Sequence, residues 1–100
     1  MNASTEETNM VLHFGEALTS TTVLSLRLQF LSLLGQCSGV ETITADLSRV
    51  PMIDSQGLNL LIGMYQDARE KGLSFRITGA SEANRRLFAL VNLQDYIPLG

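Results

Sequence analysis

Thr42-Ile43-Thr44-Ala45-Asp46-Leu47 alternates polar and apolar residues one by one. Successive side chains of an extended strand point to opposite faces, so Ile43, Ala45 and Leu47 share one face and Thr42, Thr44 and Asp46 the other. Leu73-Ser74-Phe75-Arg76-Ile77-Thr78 repeats the pattern. A sheet covered by helices on both sides needs strands that are apolar almost throughout. These two are apolar on one side only. Strands joined through helices use right-handed crossovers, and if the helices share one face the strands must be added in a single direction. The pattern therefore predicts an α/β fold: one domain, with a largely parallel or mixed sheet of four to five strands wound in one direction and helices mainly on one face. A doubly wound dinucleotide-binding sheet is excluded.

Working outward, Ser48 to Ile53 is a loop in which Pro51 holds the preceding residue extended. A long helix follows from Ser55 to Lys71, with Gly72 placed to end it in a left-handed conformation. Ser81 is positioned to cap a last helix over 82–91, with Asn92 as its stop, and Tyr96 and Ile97 are expected to add an edge strand. Upstream, Met10 to Phe14 alternates as a strand, and Gly15 to Ser20 connects it onward with room for a short extended piece at Ala17-Leu18. Thr21 to Leu34 is a helix with Val23, Leu26, Phe30, Leu31 and Leu34 near one stripe and Gly35 as a stop. Residues 1–9 are polar and expected to be a disordered tail, leaving 10–100 as the folded domain.

The 100 residues make a single domain with 45% hydrophobic residues and a formal charge of −3. No basic stripe offers itself to nucleic acid. The start of the chain lacks the basic and apolar run of a secretion signal. The longest apolar region, Val23 to Leu34, is broken by Ser25, Arg27, Gln29 and Ser32, so no direct membrane insertion is expected. The single cysteine, Cys37, can close no internal disulfide and fits a reducing, cytoplasmic setting.

Enzyme signatures are missing. Neither glycine-rich phosphate loop is present, and one Cys with one His cannot build a typical zinc site, so no cofactor or metal is expected. Ser55 has the second glycine of a nucleophile elbow but not the first, and His13 falls on the polar face of its strand as a solvated imidazole. What remains is Asp54-Ser55-Gln56-Gly57 at the start of the long helix. Asp54 is a favoured N-cap whose carboxylate accepts from the free amides of the first turn. Ser55 then points outward from that turn, where a phosphate gains up to about 1 kcal/mol from the helix dipole while Asp54 opposes it. On spacing alone the commoner reading is a simple capping pair. Gly57 permits close approach of another backbone. Leu58, Leu61, Ile62, Tyr65 and Ala68 form the helix's core stripe, whereas Leu60 lies well off it and Met64 at its edge. Gly57, Leu60 and Met64 either extend an apolar contact patch beside Ser55, or Leu60 is covered by a neighbouring element; both readings stand.

The run from Ala45-Asp46-Leu47-Ser48 to Asp54-Ser55-Gln56-Gly57-Leu58 resembles the central motif of STAS domains, the family of the anti-sigma factor antagonists. Lys71-Gly72-Leu73 and Leu87 to Leu93 resemble the family's following strand entry and helix, so the likeness spans roughly Met10 to Leu99. It implies a STAS fold and a non-enzymatic, cytoplasmic binding module of transcription regulation. Ser55 matches the phosphoacceptor and Asp54 its acidic neighbour. Gln56, Gly57 and Leu58, with Leu60 and Met64 beyond them, fall at the partner-binding helix. The implied partners are an anti-sigma factor serine kinase, bound when Ser55 is unmodified, and a cognate phosphatase. An alternative implied by the same family is a non-phosphorylated accessory subunit of a lipid-transport ABC complex or a sensory complex. Two departures are visible. Gln56 stands where the family often has Ser or Thr, and the chain ends at Gly100 where many relatives continue into another helix, which leaves room for a homodimer.

Overall fold

The computed structural model describes all residues, 1–100. Four strands form one sheet in the order β1 (Asn2–Glu6), β2 (Asn9–His13), β3 (Thr42–Asp46), β4 (Ser74–Thr78). Helices α1 (Val23–Gln36), α2 (Ser55–Glu70) and α3 (Glu82–Leu90) follow β2, β3 and β4. The β2–β3 and β3–β4 pairs are parallel, and β1 is antiparallel to β2, so the sheet is mixed and each strand is added beside the last. The α/β fold wound in one direction is thus observed.

The strand alternation sets the layers. Met10, Leu12, Ile43, Ala45, Phe75 and Ile77 occupy matched register positions and are all buried, joined with buried residues of all three helices in one core. The opposite face carries Val11, His13, Thr42, Thr44, Asp46, Ser74, Arg76 and Thr78 and is largely open. Thr44 is the buried polar residue there, only 4% exposed, and its hydroxyl is fully used: it donates to Asn9 Oδ1 and accepts from Arg76 Nε, both at 2.9 Å. A satisfied hydroxyl can be buried at little cost, which is how a polar residue sits mid-sheet.

Local signals explain most of the boundaries. Ser81 accepts from the Asn84 amide at 3.1 Å and starts α3. Gly72 (φ 75°) and Asn92 (φ 55°) are left-handed just past the ends of α2 and α3. Gly35 does not stop α1, which runs one residue further before Cys37 turns extended.

Two expectations are corrected. Residues 1–9 are not a disordered tail: β1 pairs with β2 along five positions, through a two-residue connection in which Glu7 takes φ 55°. Its backbone bonds hold it although every side chain is exposed. The segment after α3 is not an edge strand through Tyr96 and Ile97. Leu93–Asp95 is a 3₁₀ turn, Ile97 plunges into the core, and the edge is met only at one bridge, Ile77 to Leu99. Burial of Leu93 and Ile97 on one side of the chain wins over extension.

Candidate functional site

The site is built where the β3–α2 loop crosses the β2–α1 connection. Leu18, in the expected extended piece, forms a parallel bridge with Ile53; its N–H donates to Met52 O and its carbonyl accepts from the Asp54 N–H. These bonds fix the direction in which α2 leaves the loop. Asp54 takes an extended conformation and caps α2: Oδ1 accepts from the amides of Gln56 at 2.9 Å and Gly57 at 3.0 Å, and its backbone carbonyl takes the first helical bond from Leu58. The second carboxylate oxygen, Oδ2, accepts from the Ser20 amide at 3.2 Å. One side chain therefore closes the helix end and ties it to the Thr19–Thr22 loop.

Ser55 is the first residue of α2 and is exposed, as is Gln56. Both amides that Asp54 reaches are already occupied, so a group added to Ser55 would find positive helix potential but no vacant amide pair to cradle it.

The remaining expected contact residues turn inward. Leu58 is 7% exposed, Leu60 3% and Met64 0%. Of the two readings for Gly57, Leu60 and Met64, the covered one holds: they form no surface patch, and α1 packs along the Leu60 flank of α2, widening the buried arc beyond a single stripe. Val23, Leu24 and Arg27 of α1 line the same groove as Leu60, and Arg27 reaches over Gly63 to pair with Asp67 at 3.0 Å. Gly57 does serve close approach, but of its own chain: a Cβ there would run into the Leu18 carbonyl and come within 2.8 Å of Ile53 Cγ2.

The exposed residues of the segments that meet at this helix end are a different set. Ser20, Thr21, Asn59, Met52 and Leu24 are exposed, the last two at 55% and 73%. The sequence placed Met52 in the Ser48–Ile53 loop and left Leu24 off the stripe of the first helix, but gave neither a role; Ser20 fell in the Gly15–Ser20 connection and Thr21 at the start of that helix.

On the open face, Asp46 ends β3. The backbone amide of Ser48 donates to its Oδ1 at 3.0 Å, and this bond, helped by the Ser48 hydroxyl and by His13, holds its carboxyl below the ordinary value of 3.8 against the opposing effect of burial. His13 is not simply solvated: its Nδ1 lies 3.2 Å from Asp46 Oδ2 and its Nε2 3.1 Å from Ser4 Oγ. No group of three or more His, Cys, Asp or Glu side chains is placed to hold a metal ion, and no helix is long and apolar enough to cross a membrane.

The family model of the STAS domain matches residues 1–100. The chain belongs to the STAS domain family. No match was found among curated protein sequences. Among solved structures, this STAS domain is similar to a Thermotoga maritima protein assigned to the anti-sigma factor antagonists, with TM-score 0.87, 19% identity, and 98% of this chain and 83% of that chain covered. It is similar to the anti-sigma factor antagonist SpoIIAA in unphosphorylated form, with TM-score 0.79, 21% identity and coverage of 99% and 86%. The same Bacillus protein in phosphorylated form gives TM-score 0.72 at 20% identity, with 99% and 89% covered. A sulfate transporter family protein from Wolinella succinogenes matches with TM-score 0.74 at 12% identity over 92% and 73%. At these identities the likeness is one of fold.

Proposed function

We propose that this STAS domain is an anti-sigma factor antagonist, a binding module switched by phosphorylation of Ser55. Unmodified, it sequesters an anti-sigma factor that is itself a serine kinase; modified, it releases that partner until a cognate phosphatase restores the hydroxyl. The observation that carries this reading is the placement of Ser55: exposed, first in α2, with Asp54 already saturating the neighbouring amides. A phosphate adds nearly two negative charges beside a carboxylate that is part of the cap. The domain tolerates this, since the site is exposed and the helix dipole favours the added charge by up to about 1 kcal/mol. A partner pressed against the same spot has to desolvate those charges, which costs several times more. The docking surface is Ser55 and Gln56, together with Asn59, the Ser20-Thr21 loop, Leu24 and Met52. The buried Gly57, Leu58, Leu60 and Met64 act as its support. The module performs no turnover of its own in this circuit, and its setting is the cytoplasm.

Incubation with a cognate kinase and ATP, followed by peptide mapping, is expected to place the phosphate on Ser55. Phosphate on another residue with Ser55 untouched would overturn the proposal. A second reading, an accessory subunit of a lipid-transport ABC complex or a sensory complex, is kept because the fold also occurs in a sulfate transporter family protein. It predicts co-purification with a membrane transport or sensory assembly and binding that Ser55→Asp leaves intact.

A further inference from the structure

We propose that Ser4 is an activated hydroxyl, an acyl acceptor whose nucleophilicity comes from His13 and Asp46, and that it takes acyl groups from small donors with a good leaving group, such as activated esters or acyl phosphates. The sheet register brings the three residues together. His13 and Asp46 stand directly opposite each other on β2 and β3, and Ser4 on β1 is diagonal to His13 on the same open face. Three neighbouring strands thus present hydroxyl, imidazole and carboxylate in line, with Ser4 Oγ 3.1 Å from His13 Nε2 and His13 Nδ1 3.2 Å from Asp46 Oδ2.

The chemistry follows from which atoms can donate. An ionised carboxylate only accepts, so Nδ1 must carry a proton to bond Asp46. In the neutral imidazole this leaves Nε2 with a lone pair, aimed at the Ser4 hydroxyl. Asp46 is held in place for this task by the Ser48 amide on its other oxygen. The arrangement has the nucleophile, the base and the group that orients the base. Ser4 is exposed, so a small donor reaches its hydroxyl directly from solvent; the open depression of about 610 Å³ that His13 and Asp46 line with Asn2 and Arg49 does not have Ser4 in its wall.

In the step itself, Ser4 Oγ forms a bond to the acyl carbon while its proton passes to Nε2. The bond from that carbon to the leaving oxygen breaks, and the departing phenolate or phosphate leaves with its electron pair. The imidazolium then returns its proton to solvent. Nothing is oxidised or reduced.

Ser74 is the internal control, since it is exposed on the same face of β4 with no imidazole beside it. The whole chain is treated with p-nitrophenyl acetate and acetylated positions are followed by peptide mass mapping. Ser4 is expected to label at least about ten-fold faster than Ser74, a modest share of the usual general-base effect because the site is open to water. His13→Gln should lower Ser4 labelling to the Ser74 rate, with Asp46→Asn falling between. Equal rates at Ser4 and Ser74, acetyl groups confined to amines such as Lys71, or Ser4 labelling indifferent to His13→Gln would overturn the proposal. If His13→Gln does not fold, the Ser4-to-Ser74 ratio in the unaltered chain decides the matter alone.

Discussion

Asp54 and Asp46 are one strand-to-helix loop apart, and each uses both carboxylate oxygens. Asp54 caps α2 and holds the Ser20 amide, so Asp54→Ala removes acceptors for three backbone donors at once. The expected loss is about 1–2 kcal/mol in urea unfolding, the range of a lost N-cap. A loss within error of zero would mean that water replaces the carboxylate freely. Asp46 binds its proton more weakly in the folded state than in the unfolded chain. Its contribution to stability is therefore complete above the ordinary value of 3.8 and drains away as the pH falls below it towards the lowered folded value. The melting temperature of the wild type should drop more steeply through that acid window than that of Asp46→Asn. Parallel acid limbs would contradict the assignment.

At the level of elements, two contacts decide how α2 sits. The bare Cα of Gly57 admits the Leu18 carbonyl, and backbone cannot give way as a flexible side chain can. Gly57→Ala should push the Leu18–Ile53 bridge apart and cost about 1–3 kcal/mol, as overpacking does. Chemical-shift changes should spread to the Thr19–Thr22 loop; a variant as stable as wild type would refute this packing. Leu60→Ala should cost about 2–5 kcal/mol, the price of a large-to-small change in a core, and not merely weaken partner binding. A neutral Leu60→Ala would restore it to the surface. The sequence made α2 and its cap legible, because Asp54, the 3.6-residue stripe and Gly72 are local signals. The arc buried by α1 was not, since a single stripe records one neighbour and α2 has neighbours in both α1 and β4. Helix α3 was read from Ser81 and Asn92 for the same local reason.

Across the whole molecule, alternation in β2, β3 and β4 carried enough information to recover the one-sided layering and direction of winding, because each strand has to bury alternate residues. β1 was invisible on the same ground: all five of its side chains are exposed, so burial left no pattern, and Glu7-Thr8 lacks the glycine that marks a tight hairpin turn. Its presence is expected to appear as slowed amide exchange along the β1–β2 ladder relative to the exposed Thr19–Thr22 loop; equally fast exchange in both would show the hairpin open. Ser55 stood out in sequence as a capping-region serine, and its exposed placement agrees, whereas Met52 and Leu24 had no role until the chain was folded. The molecule as a whole thus separates a rigid support from an accessible hydroxyl. The most direct test compares Ser55→Asp with wild type for affinity towards the proposed anti-sigma factor kinase and for melting temperature in the same buffer. Binding should weaken at least several-fold while the melting temperature stays within about one degree, as expected of a surface substitution at a helix N-terminus. Unchanged affinity, or a large fall in melting temperature, would contradict the account.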